Sequence, residues 1–434
     1  MSLTQNELNI IKAIDDNATE IIAIGKQILS NPELGYKEFE TSKLIKEKFE
    51  ALSLDTECGM AITGVKATIG NKNEFNACII GELDSVMCYG HAMCNNETGA
   101  AHACGHHAQM AALYGAACGI VKSGVMENAQ GAITFFATPA EEYIDLDYRR
   151  KLKQEGKIRF FGGKQQLIYE GEFDDVDAAI MVHAYPETPH KAVFIHGSSL
   201  GFLGKKISFS GKAVHASTPF DGVNALNAAA LAILGMHTNR ERFRDEDKIR
   251  VHPIITKGGD VVNSVPDDVE IDTYVRGANM NAILSASQDT DRACKGAAQM
   301  VGAEVNIETT AGYLPLKQDY LLGEVFREVS LEFMDDAVIH SGVDMTGSSD
   351  IGDVSQIIPT IQPSIGGFAG QLHSKEFKEV CEDTAYLLPA KIMAITAYRL
   401  IENKCKRGKE IKSSFIPTMD KETYIQALIK SESK

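Results

Sequence analysis

Basic charge is scarce in this chain: 43 lysines and arginines stand against 59 acids, a formal net charge of −16. That excludes a nucleic-acid binder, whose footprint would be a basic face. Long apolar runs are missing too, and none approaches the ~20 residues of a membrane span. Neither a membrane nor a nucleic acid is therefore expected as a partner. The opening MSLTQNELNIIKAIDDN carries acids where a signal peptide would carry lysines ahead of an apolar core. A disulfide framework is lacking: nine cysteines, odd in number and scattered, fit reduced thiols and a cytoplasmic location. Eight of them read as small core residues. Internal repeats and low-complexity tracts are absent. What remains is a chain of 434 residues, 44% hydrophobic and 24% charged, long enough for about two to three well-filled units.

Strand and helix alternate in its first part. Thr4 and Glu7 are spaced as a capping box, and Ile10, Ile11, Ile14, Ile21, Ile22 and Leu29 recur at helical intervals. A second helix is predicted from Glu38 to Leu52. Strand-like runs follow at Gly64–Ile69, Ala77–Leu83, Ala132–Phe136 and Ala178–His183. This order predicts an open α/β sheet, whose ligands bind off the carboxyl ends of its strands. Asp84, the pair Glu141–Glu142 and His183 all stand at such ends. From Gly201 the grammar changes. Strand GKKISFSG, helix Asn224–His237, strands RVHPIIT and VEIDTYVR, helix Asn279–Met300 and strand AEVNIETT make the β-α-β-β-α-β order of a ferredoxin-like α+β domain. The sheet domain is thus expected in two pieces, 1–200 and 312–405, around an inserted domain, 201–311. Its pattern resumes with a helix around Tyr320–Met334. Residues 406–434 read as a polar linker and a short helix at Tyr424–Ile429.

Chemistry concentrates between Gly99 and Gly119, GAAHACGHHAQMAALYGAACG. Here His102, Cys104, His106 and His107 fall within six residues, and the small-residue run after Gly105 reads as a tightly packed helix. A cysteine and a histidine two apart at a loop-to-helix junction can face one cation, and a helix N-terminus favours the thiolate. TPAEE sets Glu141 and Glu142 directly after an apolar strand. One could bind a metal while the other, unmetallated, serves as general base; an exposed acidic pair is the ordinary alternative. His183 ends a buried-looking strand, and His373, in GGFAGQLHSKEF, lies between a glycine-rich loop and a helix. Cys104, His106, one glutamate, His183 and His373 supply five N, O and S donors, enough for two divalent ions if Cys104 bridges them. Two rival readings compete. Gly197–Gly201, GSSLG, matches the nucleophile elbow of a serine hydrolase with Ser199, but the elbow needs a helix next and an alternating strand follows. A metal-binding protein without catalysis would have no use for the spare glutamate. The charged insertion DLDYRRKLKQEGKIRF reads as a solvated loop, or as a rim to the substrate entrance.

The motifs NPELGYKEFETS, ELDSV, HACGHH, TPAEE, the His183 strand, GKAVHAS, GGDVVNSVPDD and LHSKEF occur in one order. In that order the chain resembles the di-metal aminoacylase/carboxypeptidase superfamily of metallopeptidases, in its amidohydrolase branch. GVNALNAAALAILGMHTNRERF and TGSSDIGDVS look closest to p-aminobenzoyl-glutamate hydrolases and β-alanyl-type dipeptidases. The resemblance implies a catalytic sheet domain with an inserted lid and dimerisation domain. It implies a homodimer and a small N-acyl or N-aroyl amino acid or dipeptide as substrate. Cys104 would bridge two divalent ions, zinc or manganese with cobalt also possible. His106 and His183 would complete one ion, Glu142 and His373 the other. Glu141 would be the general base and Asp84 the acid that orients a ligand histidine. His215 would stabilise the oxyanion in the neighbouring subunit's site, and Asn263 and Arg276 would hold the substrate, the arginine on its carboxylate. Two positions depart from the family pattern: Met87 stands where a proline is usual, and His107 where Asp or Asn is common. The second leaves the metal preference open.

Overall fold

The capping box forms. In the computed structural model, which describes residues 3–432, the Thr4 hydroxyl accepts from the Glu7 N–H and the Glu7 carboxylate from the Thr4 N–H. Two otherwise orphaned donors of the helix Gln5–Asp16 are thereby satisfied. Helices Ala18–Ser30 and Phe39–Ala51 follow.

The chain separates into two compact units. One holds the residues up to Ser198 together with Lys317–Met345 and Asp353–Met419; the other holds Ser199–Leu316, Thr346–Gly352 and the residues from Asp420 onward. The first is built on a six-stranded sheet in the order Asp55–Met60, Gly64–Gly70, Ala132–Thr138, Asn76–Glu82, Ala178–Met181, Thr360–Ile361. The last four strands run parallel and the first two are antiparallel. Asn76–Glu82 and Ala132–Thr138 are buried along their whole length, as strands covered on both faces must be. The helix His106–Lys122 packs on Asn76–Glu82 and against the helices Gln5–Asp16, Ala18–Ser30 and Leu388–Ser414. It is buried from His106 to Ile120, which explains its run of alanine and glycine.

The expected strand Ala178–His183 stops at Met181. His183 and Ala184 instead pair with Ser364–Ile365 in a small separate sheet, because the His183 N–H bonds the carbonyl of Pro363. The second unit is a four-stranded antiparallel sheet ordered Arg250–Lys257, Asp268–Gly277, Gly201–Ser210, Glu304–Ala311. In sequence terms that is second, third, first, fourth, with the helices Ala225–Thr238 and Met280–Val301 packed together on the sheet. This is the ferredoxin-like arrangement that the element order predicts.

The tail differs from expectation. Residues 406–414 are not a linker but the end of the helix Leu388–Ser414, continued beyond a kink at Glu402–Cys405. Cys405, Gly408 and Ile411 are buried at three-residue intervals, a stripe too sparse and small to stand out among the surrounding lysines. The final helix, Lys421–Ser431, packs on the strand Glu304–Ala311.

Candidate active site

Asn76–Glu82, Ala132–Thr138 and Ala178–Met181 are neighbouring parallel strands, so their carboxyl ends open on one side of the sheet. Asp84, Glu141 with Glu142, and His183 follow those ends. Cys104 and His106 come from the start of the helix His106–Lys122. Gly105 between them has φ +86°, and a Cβ there would lie 2.7 Å from that of Ala184. Only glycine lets the chain turn this sharply against the His183 segment. His373 arrives on a loop at φ +61°, its N–H bonded to the carbonyl of Ala103 at 2.8 Å. The helix expected after it begins only at Asp383.

These residues converge. Cys104, His106 and His183 each offer a ligand atom within 4.8 Å of the others, and so do Cys104, Glu142 and His373. The Cys104 sulfur belongs to both groups, 3.5 Å from His183 Nε2 and 3.3 Å from His373 Nε2. His373 Nε2 lies 3.1 Å from Glu142 Oε1. Backbone carbonyls set the tautomers. His183 Nδ1 donates to Ala184 and His106 Nδ1 to Asp84, so that each ring, when neutral, presents its Nε2 lone pair to a ligand. Glu142 Oε1 and His106 Nε2 are buried and make no hydrogen bond. An N/S/O donor set with such orphaned atoms fits divalent cations of the zinc or manganese kind.

Electrostatics agrees with the donor chemistry. Burial and the Glu142 carboxylate push the Cys104 thiol up, but His373, His183 and His106 outweigh them and bring it down to about 6. A thiolate, the form that binds metal, therefore prevails at neutral pH. Burial opposes ionisation of Glu142 too, and His373 overcomes it. The Glu142 carboxylate in turn raises His373. Asp84 Oδ2 accepts from the Glu142 N–H at 2.9 Å while its Oδ1 lies 3.3 Å from His106 Nδ1, tying an acid of one group to a histidine of the other.

Several residues here escape a reading of the sequence. Glu82, fully buried, takes Lys164 at 2.6 Å and Gln109 at 2.8 Å and lies 3.1 Å from His106 Nε2. With His106 and Glu141 it forms a third close group of donors. Lys164 is itself fully buried, and a lysine in KQQLIYE gives no sign of it. The insertion after TPAEE is not a solvated loop. It forms the helix Leu146–Gln154, with Arg149 and Leu152 buried. His102 and His107 are buried outside both ligand groups, with burial pushing each imidazole toward the neutral form.

His215, Asn263 and Arg276 belong to the second unit. His215 bridges to Ser264, and the Ala216 N–H bonds the Asn263 carbonyl at 2.9 Å, so those two stand on adjoining loops. Arg276 lies about 5 Å over the rings of Phe202 and Tyr274 and donates to Ser348 Oγ at 2.7 Å. Ser199 precedes the strand Gly201–Ser210 directly, with no helix after it. The nucleophile elbow is not formed.

Residues 198–304 match the peptidase dimerisation domain of the M20 family. Over 93% of its length the chain is 27% identical to Xaa-Arg dipeptidase of Mus musculus, covering 94% of that protein. It is 26% identical to an IAA-amino acid hydrolase of Arabidopsis thaliana over 89% of this chain and 87% of that one. A dinuclear metal-binding peptidase of the M20 family from Bacillus subtilis superposes with a TM-score of 0.67 at 20% identity, covering 89% of this chain and 99% of that one. The protein is a hydrolase of amide bonds. Over most of its length it is similar to M20 metallo-amidohydrolases.

Proposed function

We propose that this chain hydrolyses the amide bond of small N-acyl or N-aroyl amino acids or dipeptides with two divalent ions bound per subunit. The observation that carries the reading is the Cys104 sulfur shared by two donor groups, beside a second, adjacent glutamate. Cys104, His106 and His183 would hold one ion, and Cys104, Glu142 and His373 the other. Zinc or manganese suits this set, with cobalt able to serve. When bound, such ions acidify a water and polarise the scissile carbonyl.

The chain's own groups do the rest. Glu141, buried and outside both ligand groups that share Cys104, takes the proton of the attacking water and hands it to the departing amine. Asp84 fixes the orientation of His106. His215 Nδ1 accepts from the Ser217 N–H at 3.1 Å, so the proton of a neutral ring sits on Nε2. That ring is exposed and ready to donate to a developing oxyanion. Arg276 and Asn263 would hold the substrate's carboxylate and carbonyl. The relatives support this class: one is named for dipeptides and one for amino-acid conjugates.

A homodimer accompanies the reading. The matched segment is a dimerisation domain, and Phe220, Val261 and Val262, 81%, 59% and 100% exposed, flank His215 and Asn263 in sequence. Large apolar side chains left this exposed on a matched dimerisation segment support a surface that meets another chain. Nine free cysteines support a reducing, cytoplasmic setting. Among the described residues no helix is long and apolar enough to cross a membrane.

The test is substitution within the acid pair, read on a panel of N-acyl amino acids and dipeptides. Glu141→Gln should keep the metal and lose about 10²–10⁴-fold in kcat, whereas Glu142→Gln should lose metal affinity first. Parent-like turnover in both variants would sink the mechanism.

A further inference from the structure

The turn Pro139–Tyr143 carries both acids of the proposed site, and its own conformation does not hold it. Ala140 sits at φ +55°, a left-handed position that a residue with a Cβ keeps only when its surroundings impose it. Arg149, fully buried inside the charged insertion, supplies much of that imposition. Its Nη1 donates to the carbonyls of Phe161 at 2.6 Å and Ala140 at 3.3 Å, and its Nη2 to the carbonyl of Glu142. Glu38 Oε1 accepts from the Ala140 N–H at 2.8 Å, and the Gly163 N–H donates to the Ala140 carbonyl at 3.1 Å. The guanidinium has a fitted seat. A Cβ on Gly35 would lie 2.5 Å from Arg149 Nη2 and 2.9 Å from Ala140 Cα, and the Tyr36 ring lies 5.4 Å from the guanidinium carbon. Burying a charge is costly unless its hydrogen bonds are made, and an apolar side chain could fill this space without that cost.

We infer that Arg149 is a positioning residue of the site: by gripping the carbonyls of Ala140 and Glu142 it fixes the turn that aims Glu141 and Glu142. This rests on the proposed roles of those two acids. Because Glu142 belongs to only one of the two donor groups that share Cys104, Arg149 should act first on that ion and on the base, and reach the Cys104–His106–His183 group only through the Asp84 link.

The experiment compares the full-length parent with Arg149→Met and Arg149→Lys. In metal-free protein, amide hydrogen exchange over residues 140–144 should speed up in Arg149→Met while the sheet strands stay protected. In a zinc titration one ion should bind as in the parent and the other about 10–100-fold more weakly, with kcat falling comparably and KM little changed. Arg149→Lys should recover part of each effect, and it carries the same measurements if Arg149→Met fails to fold. Unchanged exchange in the turn would overturn the inference. So would equal weakening of both ions together with general loss of protection, the mark of a merely structural role. A parent that binds no metal or cleaves no amide would instead defeat the proposed function, while exchange in the metal-free chain would still decide the clamp.

Discussion

Burial turns ordinary acids into special ones around this site. Glu38 is fully enclosed, with Thr63 donating to its Oε2 at 2.7 Å and Ala140 to its Oε1. Burial, reinforced by the nearby Asp84 charge, pushes its carboxyl up to about 7. The folded chain therefore keeps a proton here that the unfolded chain gives up at ordinary carboxylate pH. The stability this contributes is present at low pH and is lost as pH rises through about 7. Glu38→Gln, neutral throughout and able to keep the Ala140 bond, should flatten the fall in melting temperature of metal-free protein between about pH 4.5 and 7. Parallel profiles for variant and parent would show that Glu38 does not titrate there. At this scale the sequence discloses the donors that sit in spaced motifs: Cys104 and His106 two apart, Glu141 and Glu142 adjacent. It hides those whose meaning lies in a distant partner. Lys164 and Glu82 pair across 82 positions, and Arg149 looks like one more charge in DLDYRRKLKQ until its helix folds inward.

Elements were legible where a period was clean. The alternation of GKKISFSG and VEIDTYVR predicts strands, and those strands pair over ten residues from Gly201↔Gly277 to Ser210↔Asp268. The tail hides its helix because charge dominates its composition, although its few buried residues keep helical spacing. Its last helix has a definite task. Lys421–Ser431 buries Tyr424 and Leu428 and packs on Glu304–Ala311, an end strand of the four-stranded sheet. Those two side chains are worth about 1.5–3 kcal/mol each by area, and the strand they pack on is an end strand, whose free edge can invite pairing if the packing is lost. Deleting residues 420–434 should lower the melting temperature and add oligomers beyond the parent's state in sedimentation. A truncated chain with the parent's melting point and mass would mean that the helix is dispensable.

At the scale of the molecule, the chain has an α/β unit that carries the proposed metal donors and a ferredoxin-like unit that carries His215, Asn263 and Arg276. If His215 serves the neighbouring subunit, two dead variants should complement. Mixing Glu141→Gln with His215→Ala chains under subunit exchange should yield mixed dimers in which one site is free of both lesions, with a substantial fraction of parental activity. Mixed dimers shown to form but inactive would remove the shared site. The central claim, however, is the pair of ions meeting at one sulfur, and metal analysis of purified parent and Cys104→Ala chains after saturation with zinc and removal of excess tests it most directly. Two ions per parent chain and loss of most of that metal from Cys104→Ala are expected; equal metal content in both would contradict the account.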